Sequence, residues 1–257
     1  MADDDVLALI DAPRAEGSPD GPLVVLVHGA LDRATSFRLV IRHLHDLDVV
    51  AVDRRGYARS RHLPVAISLA DHVADLFRII ADRPCVIVGH SYGGDVAIAA
   101  ACERPAQVRA VGAFEPPMPW LPWWPETSAG SQAMSRSRDA STVAEVFMIR
   151  MIGERRWGSL PERTKEERRS EGEALLSDLR SIRRDPPFDV TAVPVPVVLG
   201  CGTESLPHQI ANVRRVFEEL PDVELVEIEG GRHGSHASKP LEFSHFVRRV
   251  VARAATL

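Results

Sequence analysis

The stretch IVGHSYGGD, Ile87 to Asp95, sets a serine between two glycines directly after an apolar run. CVIV, at 85 to 88, is short, β-branched and apolar at consecutive positions, the pattern of a strand buried on both faces. GGDVAIAAACE, at 93 to 103, reads as a helix whose alanines permit close packing on a sheet. Strand, sharp turn and helix form the setting in which a G-x-S-x-G serine presents its hydroxyl at a sheet edge. Glycines at 89 and 93 suit a strained, crowded turn where a β-carbon would clash. A serine that merely fills a tight turn is the alternative reading. Partners further along the chain decide between the two.

The same apolar pattern recurs outward in both directions. LVVLVHG (23 to 29), DVVAVD (48 to 53), VRAVGAF (108 to 114), VPVVLG (195 to 200) and VELVEI (223 to 228) read as further buried strands. Between them TSFRLVIRHLHDL, LADHVADLFRIIAD and QIANVRRVFEEL repeat apolar residues at three- and four-residue steps, as amphipathic helices do. Strand then helix, repeated, predicts an α/β fold with a mostly parallel sheet and right-handed crossovers. The regularity stops at PPMPWLPWWPE, which opens a charged segment holding all four tryptophans and two further helical stretches, STVAEVFMIRMIG and PERTKEERRSEGEALLSDLRSI. Residues 117–189 therefore read as a helical cap inserted into one discontinuous core, 1–116 and 190–257. The mixed charges from Arg163 to Glu173 read as a solvated helix face.

At 257 residues the chain can bury one sizeable core. A formal charge of -5 and a pI near 6.1 argue against a nucleic-acid partner, since phosphate-binding domains carry a basic excess. The acidic start lacks a basic signal region, and no run reaches the roughly 18 to 20 apolar residues of a membrane helix, so a cytoplasmic protein without membrane contact is expected. Cys85, Cys102 and Cys201 are odd in number and far apart, which suits a reducing compartment.

A serine hydroxyl is a weak nucleophile at neutral pH and needs a general base, with an acid to orient that base. Of ten histidines, His233 stands out because EIEGGRHGSHASKPLEF puts it in a glycine-rich loop after the last apolar strand, where it can reach the serine's turn. His236 competes for the same role. For the acid, Glu115 in VGAFEPPMP and Glu204 in GCGTESLPH both follow strands at their carboxyl ends.

Four segments together resemble the α/β-hydrolase superfamily: HGAL at 28 to 31, DRRGYARS at 53 to 60, GHSYG at 89 to 93 and GGRH at 230 to 233. The resemblance implies an α/β-hydrolase fold with Ser91 as nucleophile and His233, rather than His236, as base. Arg232 replaces the second glycine of the family's G-x-G-H. It implies backbone N–H groups of Ala30 and Tyr92 as oxyanion donors. Most relatives place an aspartate after the penultimate strand, where this chain has only Glu204. Others use a glutamate after the strand following the nucleophile, which favours Glu115 while Glu204 stays the alternative.

His28 belongs to the oxyanion-loop motif and, with Trp120, Trp124, Phe147 and Trp157, is a candidate for lining a substrate pocket; bracing of loops and core packing are the competing roles. His28, Asp53, Arg54 and Arg55 fit a bracing function. No cofactor is implied, and His233 with His236 makes no ligand cluster for a metal. The expectation is a serine hydrolase cleaving an ester, thioester or lactone of an apolar small molecule through an acyl-enzyme. Alternatives keep the triad for acyl transfer, perhydrolysis or C–C bond hydrolysis, or keep the fold as a non-catalytic ligand binder.

Overall fold

In the computed structural model, residues 6 to 255 are described; the first five residues of the acidic start lie outside them. Seven strands form one sheet: β1 (Leu9–Ala12), β2 (Leu23–Val27), β3 (Val49–Val52), β4 (Cys85–His90), β5 (Val108–Phe114), β6 (Val197–Gly202) and β7 (Val223–Ile228). Their order is β1-β3-β2-β4-β5-β6-β7, with β1 antiparallel to β3 and every other pair parallel. The helices are α1 (Arg38–Ile41), α2 (Leu69–Ile80), α3 (Tyr92–Glu103), α4 (Ala129–Arg136), α5 (Ala140–Ile152), α6 (Glu154–Gly158), α7 (Glu162–Ser170), α8 (Gly172–Arg184), α9 (Pro207–Glu219), α10 (Ser235–Ser238) and α11 (Pro240–Ala254).

The consecutive apolar runs follow from burial on both faces. In β4, Cys85 and Ile87 join a cluster with α2, α3 and α9, while Val86 and Val88 join one with α1 and α11. Burying each such side chain contributes about 1.5 to 3 kcal/mol. Gly112 in β5 keeps α11 close, because a β-carbon there would lie 2.7 Å from Val250.

Three elements differ from the sequence reading. β1 was not expected: LIDA is short, carries Asp11 and is bounded by Pro13, and only pairing with β3 makes it a strand. The helix expected over 35 to 47 shrinks to a 3₁₀ turn and the single turn of α1. The helix expected over 161 to 182 breaks into α7 and α8 at Gly172, where a β-carbon would lie 2.1 Å from the Ala140 carbonyl oxygen. The expected solvated face is real for α7, which buries no residue, but Glu171 at its end is buried and accepts from the Ala58 amide at 2.8 Å. Helices α4 to α8 all lie between β5 and β6 in the chain.

Candidate active site

The carboxyl ends of the parallel strands bring together residues from four distant segments. Ser91 follows β4 with φ 53° and ψ -129°, the left-handed strain of a sharp turn. A β-carbon at Gly89 would lie 1.9 Å from the Gly93 carbonyl oxygen, and one at Gly93 would lie 2.2 Å from that of Val27. Both glycines are therefore steric requirements of the elbow. Glu115 follows β5, also with positive φ (48°), and is buried. Its Oε1 accepts from the Gly202 amide at 2.9 Å and from the Ser205 hydroxyl. Its Oε2 accepts from His233 Nδ1 at 2.6 Å. Ser91, Glu115, His233, Ala30 and Tyr92 line one narrow cavity of about 60 Å³.

Glu204 does not approach His233. It is exposed and pairs with Arg232 at 3.0 Å, so the residue that replaces the family's second glycine holds the alternative acid at the surface. His236 also turns away: it is buried, and its Nε2 donates to Asp32 Oδ2 at 3.1 Å. Burial opposes the charge on Asp32, but the bond from His236 outweighs it and holds this carboxyl well below its ordinary range.

His90 Nε2 donates to the His233 carbonyl at 2.7 Å, tying the elbow to the histidine loop, and burial pushes the His90 ring well below its usual range so that it stays neutral. Asp32, His90 and His236 bring ligand-type atoms within 4.8 Å of one another, a grouping not anticipated from the His233 and His236 pair. Two of its ring nitrogens are already engaged, by Asp32 and by the His233 carbonyl.

The backbone at Gly29 and Ala30 is held from behind. Arg54 Nε donates to the His28 carbonyl at 3.0 Å and Nη2 to the Gly29 carbonyl at 3.2 Å. In a trans peptide the N–H points opposite the C=O, so a Gly29 carbonyl facing Arg54 turns the Ala30 N–H away from it. Tyr92 opens α3, where an N–H has no intrahelical acceptor. Arg54 is itself buried and fixed by Asp178 at 2.9 Å, which also accepts from Tyr57 at 2.7 Å and binds His72 at 2.9 Å. Burial works against the Asp178 charge, but Arg54 and His72 outweigh it and the carboxyl titrates at about 2.

Of the expected pocket residues, Trp124 and Phe147 line the cavity with Ser91. The other three do not. His28 is fully buried behind the loop, its Nε2 accepting from the Arg54 amide at 3.0 Å, and burial followed by the Arg54 charge lowers it to about 4. Trp120 stacks edge-on against Phe188 in an outer recess. Trp157 packs among the inserted helices and donates to Glu145 at 3.2 Å. Cys201 is buried and its thiol is pushed up to about 12 by burial, the state of an inert thiol.

Sequence reading missed Ser205, Gln209, Asp178 and Arg183. Gln209 places its amide nitrogen 3.0 Å from His233 Nδ1 and accepts from the Leu206 amide at 3.1 Å. Asp178 and Arg183 sit on α8 in a charged stretch, and nothing local marks either as inward-facing.

Comparison with known proteins agrees with this architecture. Residues 24–246 match the model of the alpha/beta hydrolase family. The chain belongs to that family. It is 34% identical over 111 residues to the lipase LipV of Mycobacterium tuberculosis, covering 42% of each chain. It is 35% identical over 106 residues to the 2-(acetamidomethylene)succinate hydrolase of Mesorhizobium japonicum, covering 40% of this chain and 37% of that one. These alignments thus span about two fifths of either relative. The enol-lactonase structure from Burkholderia xenovorans superposes with a TM-score of 0.73 at 17% identity, covering 96% of both chains, and shares the fold. Among the described residues no helix is long and apolar enough to cross a membrane.

Proposed function

We propose that this protein is a serine hydrolase acting on an ester, thioester or lactone of a small molecule. Ser91 attacks the carbonyl, His233 takes the serine proton and returns it to the leaving group, and Glu115 holds the imidazole's Nδ1–H and stabilises the imidazolium. The backbone N–H groups of Ala30 and Tyr92 receive the oxyanion, and water releases the acyl group. The observation that carries this reading is the 2.6 Å bond from His233 to Glu115 in the cavity that Ser91 lines. Ser205 and the Gly202 amide satisfy the other carboxylate oxygen, so Glu115 has the fixed, desolvated setting of an orienting acid. Names of relatives that denote a lipase and a succinate-derivative hydrolase support the same reaction class. The segment between β5 and β6 serves as the cap that shapes the acyl site, through Trp124, Phe147 and Met151.

Kinetics on short-chain nitrophenyl esters test the acid. Glu115→Gln is expected to lower kcat by about 10⁴, the scale of removing a triad acid. Glu204→Gln is expected to stay within about threefold, because it removes only an exposed ion pair. Collapse in Glu204→Gln alone would overturn the assignment.

A further inference from the structure

Several arginines of this protein end on carboxylates: the buried Arg54 on Asp178 at 2.9 Å, the half-buried Arg33 on Glu171 at 3.3 Å and the exposed Arg59 on the buried Asp53 at 2.7 Å. The half-buried Arg183 has no such partner among the described residues. From the last turn of α8 it lines the cavity that holds Ser91 and His233. Its Nη1 donates to the Leu179 carbonyl at 2.8 Å and its Nη2 to the Ser131 hydroxyl at 3.2 Å. A guanidinium has five N–H donors, so these two neutral acceptors leave most of the fork unused. Among the described residues no carboxylate faces it, and burial without a counter-charge pulls it down to about 10.

The placement is sterically specific. Gly130 lies flush against the guanidinium: a β-carbon there would sit 3.1 Å from Arg183 Nη2 and 2.6 Å from Leu179 Cδ2. Trp124 lines the same cavity, and its Nε1–H is buried with no hydrogen-bond partner. The cavity's one lining carboxylate, Glu115, is taken up by His233, Ser205 and Gly202. Arg183, with donors to spare, and Trp124 therefore line a space walled mainly by Pro117, Pro119, Phe147, Met151 and Leu179, with Ser128, His208 and Gln209 also on it. A purely hydrocarbon acyl chain would leave the indole N–H and the guanidinium's spare donors without an acceptor and the charge without a counter-ion.

We propose that Arg183 and Trp124 form a carboxylate subsite, so that the substrate is an ester, thioester or lactone of a small acid carrying a second, free carboxylate; this rests on the hydrolase reading above. The planar fork of arginine matches a carboxylate in two parallel bonds, and the indole N–H supplies a third donor. This revises the substrate class from apolar to anionic. The free carboxylate binds without changing, and the hydrolytic step remains addition of water across the scissile acyl bond, giving an acid and an alcohol, thiol or hydroxy acid.

Two measurements separate this inference from the reading it rests on. Calorimetry on the whole wild-type protein compares glutarate with glutaramide, which has the same length and no charge. Glutarate is expected to bind at least about tenfold more tightly, the lower end for a charge-assisted contact. Arg183→Gln should abolish the difference, Arg183→Lys should retain part of it, and Trp124→Phe should weaken glutarate roughly threefold to tenfold. Glutarate binding no tighter than glutaramide in the wild type overturns the subsite, whether or not any variant folds. In parallel, the 4-nitrophenyl monoester of glutaric acid is compared with 4-nitrophenyl pentanoate. The ratio of kcat/KM should favour the acid ester in the wild type and fall about 10- to 100-fold in Arg183→Gln. Glutarate binding without turnover of either ester would leave the subsite standing and remove the hydrolase reading. Equal turnover of both esters would do the reverse.

Discussion

Ser91 is held in a left-handed conformation that an ordinary turn serine has no reason to adopt, and the crowding at Gly89 and Gly93 shows what keeps it there. Gly93→Ala should fail at the level of the fold or the elbow, because its β-carbon would sit 2.2 Å from the Val27 carbonyl oxygen and backbone cannot yield that far. A thermal melt is expected to drop by several degrees, with loss of ester turnover; an unchanged Tm would contradict the steric account of the motif. At this scale Ser91 and His233 were legible as candidates, because glycine spacing and a position after an apolar strand are local signals. The sequence favoured Glu115 over Glu204 only through the resemblance, since the contact of Glu115 with His233 joins residues 118 positions apart. Arg232 could have hinted at the outcome, being a cation close to Glu204 in space but not in the chain.

Among the elements, α8 does the most to connect the inserted helices with the elbow. Asp178 grips Arg54, Tyr57 and His72, and Ser181 bonds the Tyr92 hydroxyl at 3.1 Å. Arg183 reaches the cavity one turn later. Asp178→Asn leaves Arg54 buried without its counter-charge and should destabilise the protein by about 3 to 5 kcal/mol, read from urea unfolding. The same group gives a pH dependence. Its carboxyl titrates at about 2 when folded, below its ordinary value, so its contribution is complete above the unfolded value near 3.8 and is lost as pH falls toward 2. His28 acts in the same direction at higher pH: its folded value of about 4 lies below 6.5, so the unfolded chain takes up the proton first. The buried Glu171, raised to about 7 by burial, acts the other way, so the His28 part is read as a difference: the loss of Tm between pH 6.5 and 4 should be smaller in His28→Gln than in the wild type. An equal or larger loss in His28→Gln would contradict this burial. The pattern of α8 was legible as a helix because its leucines recur at helical spacing. Its inward aspartate was not, because a charged residue in a charged stretch looks solvated until its partner folds over it.

For the whole molecule, one sheet edge gathers Ala30, Ser91, Glu115 and His233 from the ends of four parallel strands. That convergence is a property of topology, and five of the seven strands were readable because burial on both faces leaves consecutive apolar residues, while β7, at one edge, is mostly half-buried and showed through its valines, leucine and isoleucine. The exception, β1, is an edge strand defined by its partner alone. Pocket identity was the least legible feature: the tryptophans looked equivalent in sequence, yet only Trp124 of the four lines the cavity, while Arg183 was hidden at the end of a charged helix. The most direct test of the central claim is intact-protein mass spectrometry after treatment with a fluorophosphonate, followed by peptide mapping. The expected result is a single adduct on Ser91 in the wild type and none in Ser91→Ala. Failure of the folded wild type to label, or an adduct that persists in Ser91→Ala, would contradict it.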